Sequence, residues 1–320
     1  MNVVIGGSGF VGNGIVQMLR ERGESVRVID IAPHPDPDIE SVVGDVRDGQ
    51  QVQAALQGAE TVYHTASYIF IGLGRPQHVI DININGTRNV IAACKANGVR
   101  KLIYTSSAEV VLGYDTPIAD GDETVPYPTR FASLYGETKA TAEQLILTAN
   151  RTDGLLTCAL RPNGIYGKGD KYQTPAIMDF VQQKRFIRLG DGRARALQTY
   201  IDNCSHAHLL AADRMEEGSP VGGQAYFIGD GECRNHFDFF QAILHEMGFE
   251  LPTQSIPVWL ALVIARSNEL KFYATPERMR SQPLLNRHTI AATCTPQSFR
   301  LDKARQELGY EPLVTHKEGI

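Results

Sequence analysis

Residues 2–12, NVVIGGSGFVG, decide the fold of this chain. The first four form a short apolar run, which is typical of a buried strand. Gly6, Gly9 and Gly12 follow at the spacing G-x-x-G-x-x-G, and apolar residues then recur at helical spacing up to Gly23. Glycines let the backbone turn tightly, and free N–H groups at a helix start attract phosphate. The stretch therefore predicts a strand, a turn and a helix that bind a dinucleotide pyrophosphate. The predicted contacts are Gly6, Ser8, Gly9, Phe10, Val11 and Gly12.

An acidic residue ends the second predicted strand. That strand runs from Ser25 to Ile29, and Asp30 follows 18 residues beyond Gly12. A carboxylate about 20 residues beyond the glycines accepts hydrogen bonds from the 2′-hydroxyl of the adenosine ribose and repels the 2′-phosphate of NADP. Residues 31–33 supply no arginine for that phosphate. The sequence therefore indicates NAD, and the alternative is a surface aspartate that caps a strand.

Two further loops are candidates for the same cofactor. Gly44-Asp45-Val46 follows a third short strand, and we interpret Asp45 as an acceptor for the adenine amino group and Val46 as packing on the ring. An ordinary turn would have the same sequence. Thr65-Ala66-Ser67 ends a fourth strand, and its small residues would let the cofactor lie close. We interpret the preceding His64 as a core or supporting histidine.

The apolar segment from Tyr68 to Gly74 has two equally weighted interpretations. It does not alternate cleanly between polar and apolar residues, and Arg75-Pro76 ends it. A hydrophobic loop near the carboxyl end of a strand often faces a ligand. Alternatively, it is a buried loop of the core. On the first interpretation, Tyr68 and Phe70 contact the substrate.

Tyr135 and Lys139 are the main candidates for chemistry. Residues four apart share one face of a helix. A free phenol has a pKa of about 10, and a nearby ammonium lowers it towards the range useful for proton transfer. Tyr-x-x-x-Lys alone is also common on ordinary helix faces. The glycine turn upstream favours the catalytic interpretation.

Two polar residues are weaker candidates for the same site. Ser107 follows the strand Lys101 to Thr105, where a hydroxyl either finishes the strand or points at a substrate carbonyl. Asn83 lies in a predicted helix, Val79 to Ala96. There it stabilises the site backbone or a water chain, or it is an ordinary helix residue.

Composition narrows the class of protein. The chain has 320 residues, 42% hydrophobic residues and a net charge of −5, which predict a packed globular fold and argue against a nucleic-acid-binding surface. Five scattered cysteines without a Cys-x-x-Cys pair favour free thiols in a reducing compartment, hence a cytoplasmic location, and predict no zinc site. Met1 runs directly into a strand, so no signal peptide is expected.

The longest apolar run near the C-terminus is Pro257 to Ala265. It is about half the ~18–20 residues that a membrane-spanning helix needs. We therefore predict no transmembrane segment. We interpret the run as a core helix or part of a hydrophobic lid, with peripheral membrane contact as the less favoured alternative.

Taken together, these residues resemble the extended short-chain dehydrogenase/reductase superfamily over nearly the whole chain. Within it, the chain is similar to the 3β-hydroxysteroid dehydrogenase branch. The residues that carry the resemblance are Gly6-x-x-Gly9-x-x-Gly12, Asp30, Gly44-Asp45-Val46, Asn83-x-x-Gly86-Thr87, Tyr104-Thr105-Ser106-Ser107, Tyr135-x-x-x-Lys139, Leu160-Arg161-Pro162, Gly164-Ile165-Tyr166-Gly167 and Tyr200-Ile201-Asp202-Asn203.

The resemblance implies an α/β fold with a doubly wound parallel sheet (Rossmann) and a smaller C-terminal substrate-binding lobe. The NAD-binding domain would comprise residues 1–165, with 198–230 returning to it, and residues 166–320 would form most of the lobe. The resemblance also implies a homodimer through the helices 79–96 and 135–150.

The resemblance implies an NAD-dependent oxidoreductase that interconverts a secondary alcohol and a ketone on a small hydrophobic substrate, either 3β-hydroxysteroid- or sterol-like or a long-chain 3-oxo acid. Tyr135 would move the proton, Ser107 would orient the substrate oxygen, and Lys139 would bind the nicotinamide ribose and lower the pKa of Tyr135. The other implied cofactor contacts are Asp30, Asp45, Val46, Thr65, Ala66, Ser67, Thr105, Pro162, Asn163 and Ile165. The implied substrate contacts are Tyr68, Phe70, Ser107, Asn163 and Tyr166.

Three positions depart from the family pattern. Ile5 replaces the usual threonine before the first glycine, and Asn163 stands where proline is common. Ala196 aligns with an arginine that holds the pyrophosphate in sugar-nucleotide relatives. This lowers the weight of a nucleotide-sugar epimerase or dehydratase without removing that alternative. A non-enzymatic, cofactor-sensing regulator is the third hypothesis, which the presence of both Tyr135 and Lys139 disfavours.

Overall fold

Strands and helices alternate along most of the chain. The computed structural model describes residues 1–114, 116–171, 173–183, 186–251 and 253–320. The strands are β1 (Asn2–Ile5), β2 (Val26–Asp30), β3 (Glu40–Val43), β4 (Thr61–His64), β5 (Lys101–Thr105), β6 (Ile118–Gly121), β7 (Leu156–Pro162), β8 (Ile165–Tyr166), β9 (Arg188–Leu189), β10 (Arg195–Leu197), β11 (Thr199–Tyr200), β12 (Ala225–Ile228), β13 (Cys233–Asn235), β14 (Ser255–Ile256) and β15 (Gln297–Phe299). The α-helices are α1 (Phe10–Glu21), α2 (Gly49–Ala55), α3 (Gln77–Ile80), α4 (Gly86–Ala96), α5 (Leu134–Thr148), α6 (Gln173–Gln182), α7 (Ile201–Arg214), α8 (His236–Glu246), α9 (Val258–Ala274), α10 (Arg287–Cys294) and α11 (His316–Gly319).

The main sheet is parallel and doubly wound. Among the described residues it has seven strands in the order β12-β7-β5-β4-β1-β2-β3, and each neighbouring pair is parallel. The chain leaves β1 towards β2 on one side and returns to β4 on the other. A crevice forms outside the carboxyl ends of the strands where the order reverses in this way. The predicted α/β fold with a doubly wound sheet is therefore confirmed.

Helices cover both faces of this sheet. Val4 and Val28 lie in one apolar cluster with residues of α1 and α7, whereas Val3 and Val62 lie in the other with residues of α2 and α4. Strands that are buried on both faces need continuous apolar runs. The short runs of Val, Ile and Leu in the sequence meet this requirement.

Smaller sheets and helices form the C-terminal part. Among the described residues, β13, β10, β15 and β6 make a four-stranded sheet, and Phe239, Phe240 and Leu244 of α8 form a separate apolar cluster. Residues 225–228 return to the main sheet as β12 beside β7. The division into an NAD-binding domain and a C-terminal lobe, with its boundaries, stays a prediction.

Two predicted helices differ from the structure. The helix predicted over 79–96 contains a π-helical turn, Asp81–Asn85, between α3 and α4, and such turns are common at functional sites. The sequence from Ser298 to Leu308 also has a helical pattern, closed by Gly309, but this prediction is wrong at its start, because residues 297–299 form β15 and the helical part comprises residues 302–308. The main-chain partners of β15, on β10 and β6, are remote in sequence. Within the described ranges, no helix is both long and apolar enough to cross a bilayer.

A buried ion pair joins α5 to β7. Arg161 Nε donates to Glu143 Oε2 at 3.0 Å, and its Nη2 donates to Oε1 at 2.6 Å. The hydroxyl of Tyr127 donates to the same carboxylate at 2.6 Å. The two charged side chains are only 4% and 0% exposed. Because each charge has lost its hydration, neither is tolerated there without the other. The pair holds α5, which carries Tyr135, against the sheet.

We expect Glu143→Gln to lower the free energy of unfolding by about 3–5 kcal/mol, because it leaves the guanidinium of Arg161 buried without a counter-charge. The matched control is Glu137→Gln on the same helix. Glu137 pairs with Arg75, but the two side chains are 36% and 60% exposed, so its loss should cost less than about 1 kcal/mol. Urea unfolding followed by circular dichroism measures both. Equal losses would contradict the structural role of the buried pair.

Candidate active site

Two loops meet at the carboxyl ends of β1 and β4. The backbone N–H groups of Thr65 and Ala66 donate to the carbonyl of Ile5 at 2.9 and 3.0 Å. The hydroxyl of Thr65 donates to the same carbonyl at 2.9 Å. A Cβ at Gly6 would lie only 2.7 Å from the N atom of Ala66. The glycine turn and the loop after β4 are therefore in direct contact, as a shared cofactor site requires.

The glycine turn has the geometry of a dinucleotide cradle. Gly6 has a φ of +85°, and a Cβ at Gly12 would lie 2.1 Å from the carbonyl oxygen of Gly6, so α1 packs against the turn only if this residue is glycine. Gly9 is the N-cap of α1 and contributes no side-chain cap. At this position, therefore, no side chain caps the N–H groups of the first helical turn.

Asp30 lies beside this turn. Its Oδ2 accepts from the backbone N–H of Ser8 at 3.0 Å, and its Oδ1 accepts from that of Ile31 at 2.7 Å. These two bonds hold the carboxylate between the glycine turn and the end of β2. A glycine cradle with an adjacent carboxylate fits a dinucleotide that has a free ribose hydroxyl.

In the loop after β3, the carboxylate of Asp45 is paired with a neighbouring arginine. The carboxylate of Asp45 accepts from Nε of Arg47 at 2.9 Å, and hydrogen bonds from Arg47 lower the pKa of this carboxyl. Val46 is 7% exposed and packs against Gly86, where a Cβ would lie 2.7 Å from its Cγ2. The pairing with Arg47 occupies Asp45, so its contact with adenine stays a prediction.

The phenol of Tyr135 faces two hydroxyls. Burial raises the pKa of Tyr135, the carboxylate of Glu109 raises it further, and hydrogen bonds with the side chains of Ser107 and Ser67 act in the opposite direction. Ser107 is 8% exposed and follows β5, whereas Ser67 follows β4. The structure thus brings together residues from three parts of the sequence. An oxygen of a ligand at this point would lie within reach of a phenol and a serine hydroxyl.

Lys139 is buried one turn along the same helix. Its ammonium donates to the carbonyl oxygen of Thr105 at 2.5 Å and lies 4.2 Å from the centroid of the Tyr104 ring. Burial lowers the pKa of Lys139 to about 7. The side chains that act on the pKa of the phenol in this structure are those of Glu109, Ser107 and Ser67, and the lowering of that pKa by Lys139 stays a prediction. In this structure Lys139 supports the end of β5.

A largely buried acid–base pair, Glu109 and His288, acts on the phenol. Oε2 of Glu109 accepts from the hydroxyl of Ser133 at 2.7 Å and lies 3.4 Å from Nε2 of His288. Burial would raise the pKa of Glu109, but His288 and Ser133 lower it overall. Burial would lower the pKa of His288, but Glu109 raises it overall. The two groups therefore stabilise each other's charged forms, and His288 joins α10 to the site.

Glu109 was not singled out from the sequence, although it stands only two residues after Ser107. Ser133 is the N-cap of α5 and accepts from the backbone N–H of Gly136 at 2.9 Å, so Glu109 also supports the helix start that precedes Tyr135. His288 has no signal in the sequence, because it lies 179 positions after Glu109. Only the folded chain shows the pair.

Asn83 connects two walls of the crevice. Its Oδ1 accepts from the N–H of Tyr68 at 2.7 Å, and its Nδ2 donates to the carbonyl of Tyr68 at 3.0 Å and to the hydroxyl of Thr138 at 2.9 Å. Asn83 is 1% exposed. It therefore positions the apolar segment 68–74 against α5. These contacts fit the interpretation that Asn83 supports the backbone of the site.

The segment 68–74 is exposed on one side and held by the C-terminal part on the other. Tyr68 is 44% exposed, and Phe70 is half-buried. Gln282 accepts from the N–H of Leu73 at 2.7 Å and donates to its carbonyl at 2.9 Å. The buried-loop interpretation does not hold for Tyr68, and a ligand-facing wall agrees better with its exposure.

Asn163 and Tyr166, which follow β7, contact other parts of the chain. Asn163 donates from its amide to the carbonyl of Leu197 at 3.0 Å. Tyr166 is 1% exposed; its ring packs edge-on against Phe239, and its hydroxyl lies 3.3 Å from Nδ1 of His316. This packing does not support a substrate contact by Tyr166. The predicted roles of Thr105, Pro162, Asn163 and Ile165 at the cofactor stay predictions.

This chain is similar to known proteins over nearly its whole length. The model of the 3-beta hydroxysteroid dehydrogenase/isomerase family matches residues 3–258. A 3-beta-hydroxysteroid dehydrogenase of Mycolicibacterium neoaurum is 36% identical over 99% of this chain and 88% of its own length. The decarboxylating sterol-4-alpha-carboxylate 3-dehydrogenase of Mus musculus is 35% identical, also over 99% and 88%.

Solved structures share the fold. The crystal structure of gox2253 is 26% identical, with a TM-score of 0.78 over 99% of this chain and 95% of that one. The UDP-glucose 4-epimerase of Thermus thermophilus, solved as a complex with NAD, is 23% identical, with a TM-score of 0.74 over 100% and 96%. At this identity the second likeness concerns the fold alone.

Proposed function

Because the chain belongs to the 3-beta hydroxysteroid dehydrogenase/isomerase family, we propose that it is an NAD-dependent dehydrogenase that interconverts a secondary alcohol and a ketone on a hydrophobic, 3-hydroxysteroid- or sterol-like substrate. The observation that carries the proposal is the meeting of the Tyr135 phenol with the Ser107 hydroxyl at the strand ends that also bear the glycine turn and Asp30. A long-chain 3-oxo acid is the alternative substrate.

The cofactor would lie across the carboxyl ends of the strands. The glycine turn and the N-terminus of α1 would bind its pyrophosphate, and Asp30 would accept from its adenosine ribose. NAD accepts or supplies the hydride when it is bound. In this structure the ammonium of Lys139 donates to the carbonyl of Thr105. Its contact with the nicotinamide ribose stays a prediction.

The residues of the chain supply position and proton transfer. The hydroxyl of Ser107 would donate to the substrate oxygen and orient it between the two walls of the crevice. Tyr135, as the phenolate, would accept the proton of the substrate hydroxyl during oxidation, and it would return a proton to the oxygen during reduction. Asn83 and the Glu109–His288 pair would hold the walls and the helix start in place.

Several features favour a hydrophobic substrate over a nucleotide sugar. The crevice is bordered by the apolar segment 68–74, in which Tyr68, Ile69 and Ile71 are exposed. Ala196, where sugar-nucleotide relatives carry an arginine, is 7% exposed within β10. Apolar walls with a few polar groups suit a hydrophobic alcohol. A nucleotide-sugar epimerase or dehydratase and a cofactor-sensing regulator are the remaining alternatives. The homodimer and the cytoplasmic location stay predictions.

We expect Tyr135→Phe to keep NAD affinity nearly intact and to lower kcat by a factor on the order of 10²–10⁴, because only the proton-transfer group is lost. Reduced-cofactor absorbance with a panel of hydroxysteroids, 3-hydroxy acids and nucleotide sugars measures turnover, and cofactor fluorescence measures binding. Tyr226→Phe serves as the control, because it removes a phenol whose hydroxyl donates to Glu307 at 2.6 Å and which has no part in the proposed site. Unchanged turnover in Tyr135→Phe would remove this residue from the mechanism.

Asp30→Ala should weaken the preference for NAD over NADP by about tenfold or more, since it removes a charge-assisted hydrogen bond to the ribose and the repulsion of the 2′-phosphate. The ratio of kcat/KM for the two cofactors measures this preference. A wild-type enzyme that already prefers NADP would show that the interpretation of Asp30 is wrong.

The pH dependence of alcohol oxidation should report on Glu109. Oxidation needs the phenolate, so its rate rises with pH through the pKa of Tyr135. Glu109 raises that pKa, and Glu109→Gln should therefore move the rising limb to lower pH. His288→Gln leaves the carboxylate without its counter-charge and should move the limb to higher pH.

Profiles of kcat against pH measure both variants. His245→Gln is a matched control, since His245 faces Glu250 at 3.9 Å in an exposed pair and should leave the limb in place. Shifts of Glu109→Gln and His288→Gln in the same direction would contradict an electrostatic effect on Tyr135.

A further inference from the structure

The position of the Lys139 ammonium depends on one backbone carbonyl. The ammonium donates to the carbonyl oxygen of Thr105 at 2.5 Å, and Lys139 is 1% exposed. Glu143 is the carboxylate that acts on the pKa of this lysine, but it is bound to Arg161 at 2.6 Å. Within the described ranges the ammonium forms no ion pair. Its position therefore follows that of the Thr105 carbonyl.

The side chain of Thr105 is bound on the opposite face of the sheet. Successive residues of a strand point to opposite faces, and Tyr104, whose ring lies 4.2 Å from the Lys139 ammonium, faces α5. Thr105 faces α7, where its Oγ1 lies 2.7 Å from Nε2 of His208. Nδ1 of His208 lies 2.8 Å from the carbonyl oxygen of Cys204, one turn earlier on α7. Thr105 thus connects a buried histidine of α7 to Lys139 of α5.

The direction of each hydrogen bond in this series is fixed. The carbonyl of Cys204 can only accept, so Nδ1 of His208 carries the proton. Burial lowers the pKa of His208 to about 4, and in the neutral ring Nε2 can then only accept. The hydroxyl of Thr105 therefore donates to His208, which is 0% exposed, and this bond holds the end of β5 from the side of α7.

Two neutral histidines lie near the buried ammonium. His64 on β4 is neutral like His208, because burial lowers its pKa to about 3. Neither ring adds a positive charge that would repel Lys139. The titratable groups that contact Lys139 or interact with its charge are Glu143 on its own helix, Tyr104 on β5, His64 on β4 and His208 on α7.

We propose that His208 is a positioning residue, which fixes the Thr105 carbonyl through the Thr105 hydroxyl and so holds the ammonium of Lys139 at the end of β5. The inference rests on the proposed function, in which Lys139 binds the nicotinamide ribose. Without the bond to His208 the strand end would be free to shift, and the bond between the carbonyl and the ammonium would weaken, because hydrogen bonds depend on distance and angle.

The protonation of Lys139 in the free protein tests the proposal without reference to turnover. In protein labelled with ¹⁵N-lysine, the ammonium signal of Lys139 is assigned by its loss in Lys139→Met, and its titration by NMR gives the pKa. Thr105→Val and His208→Leu should each lower this pKa, with a protonation constant about tenfold smaller, because a hydrogen bond to the ammonium favours the charged form. Thr105→Ser keeps the hydroxyl and should leave the pKa near that of the wild type.

Two substitutions serve as matched controls. His206→Leu changes a half-buried histidine of the same helix, whose ring lies 6.4 Å from that of Tyr310. Thr157→Val removes a buried hydroxyl from β7, which donates to the carbonyl of Ile146 at 2.6 Å. Both should leave the pKa of Lys139 and the turnover unchanged. Circular dichroism confirms that each variant is folded.

Turnover then shows whether the position of Lys139 serves the reaction. Thr105→Val and His208→Leu should each lower kcat/KM by a factor on the order of ten, since a small misplacement of a site residue slows catalysis. The double variant should lose no more than the larger single loss, because both substitutions break the same connection.

A pKa of Lys139 that neither substitution changes would overturn the proposal, and so would losses of turnover that multiply in the double variant. If the wild type turns over no member of the substrate panel while the pKa of Lys139 falls in both variants, the connection between His208 and Lys139 is supported and the proposed function is what fails.

Discussion

The register of the parallel strands is the constraint on which the site depends. Ile5 of β1 pairs with Ile29 of β2 on one side and with His64 of β4 on the other, and His64 pairs in turn with Tyr104 of β5. These four strands therefore end at the same level. The glycine turn, the carboxylate after β2 and the hydroxyls after β4 and β5 follow directly, so they meet at one edge of the sheet although they are remote in sequence.

Burial then decides the electrostatics at that edge. The four-residue spacing of Tyr135 and Lys139 suggested a phenol whose acidity a nearby ammonium increases. In the folded chain the ammonium is fully enclosed and bonds to the carbonyl of Thr105, and burial together with Glu109 raises the pKa of the phenol. Loss of hydration and the position of one carboxylate therefore set the direction in which the pKa of Tyr135 moves in this structure. Spacing predicts which residues share a face, but not the direction in which each side chain points.

The C-terminal part completes the site by contacts with loops of the sheet. His288 balances the charge of Glu109, and Gln282 and Asn286 bond to the backbone of the segment 68–74. The apolar wall thus depends on residues about 210 positions away in sequence. Asn83 fixes the same segment from the side of the main sheet. This double attachment explains how a largely exposed apolar loop keeps a defined place beside the crevice.

The sequence by itself determined the parallel α/β fold, the nucleotide-binding turn with its carboxylate, and the family, because these depend on local periodicity, on glycine conformations and on short spacings. It also placed Ser107, Tyr135 and Asn83 on elements that the structure brings to one crevice. Only the tertiary structure decided the partner of Lys139, the enclosure of Tyr166, the strand at Gln297–Phe299 and the Glu109–His288 pair. Each of these depends on which distant residue packs against it, and the local sequence does not specify that residue.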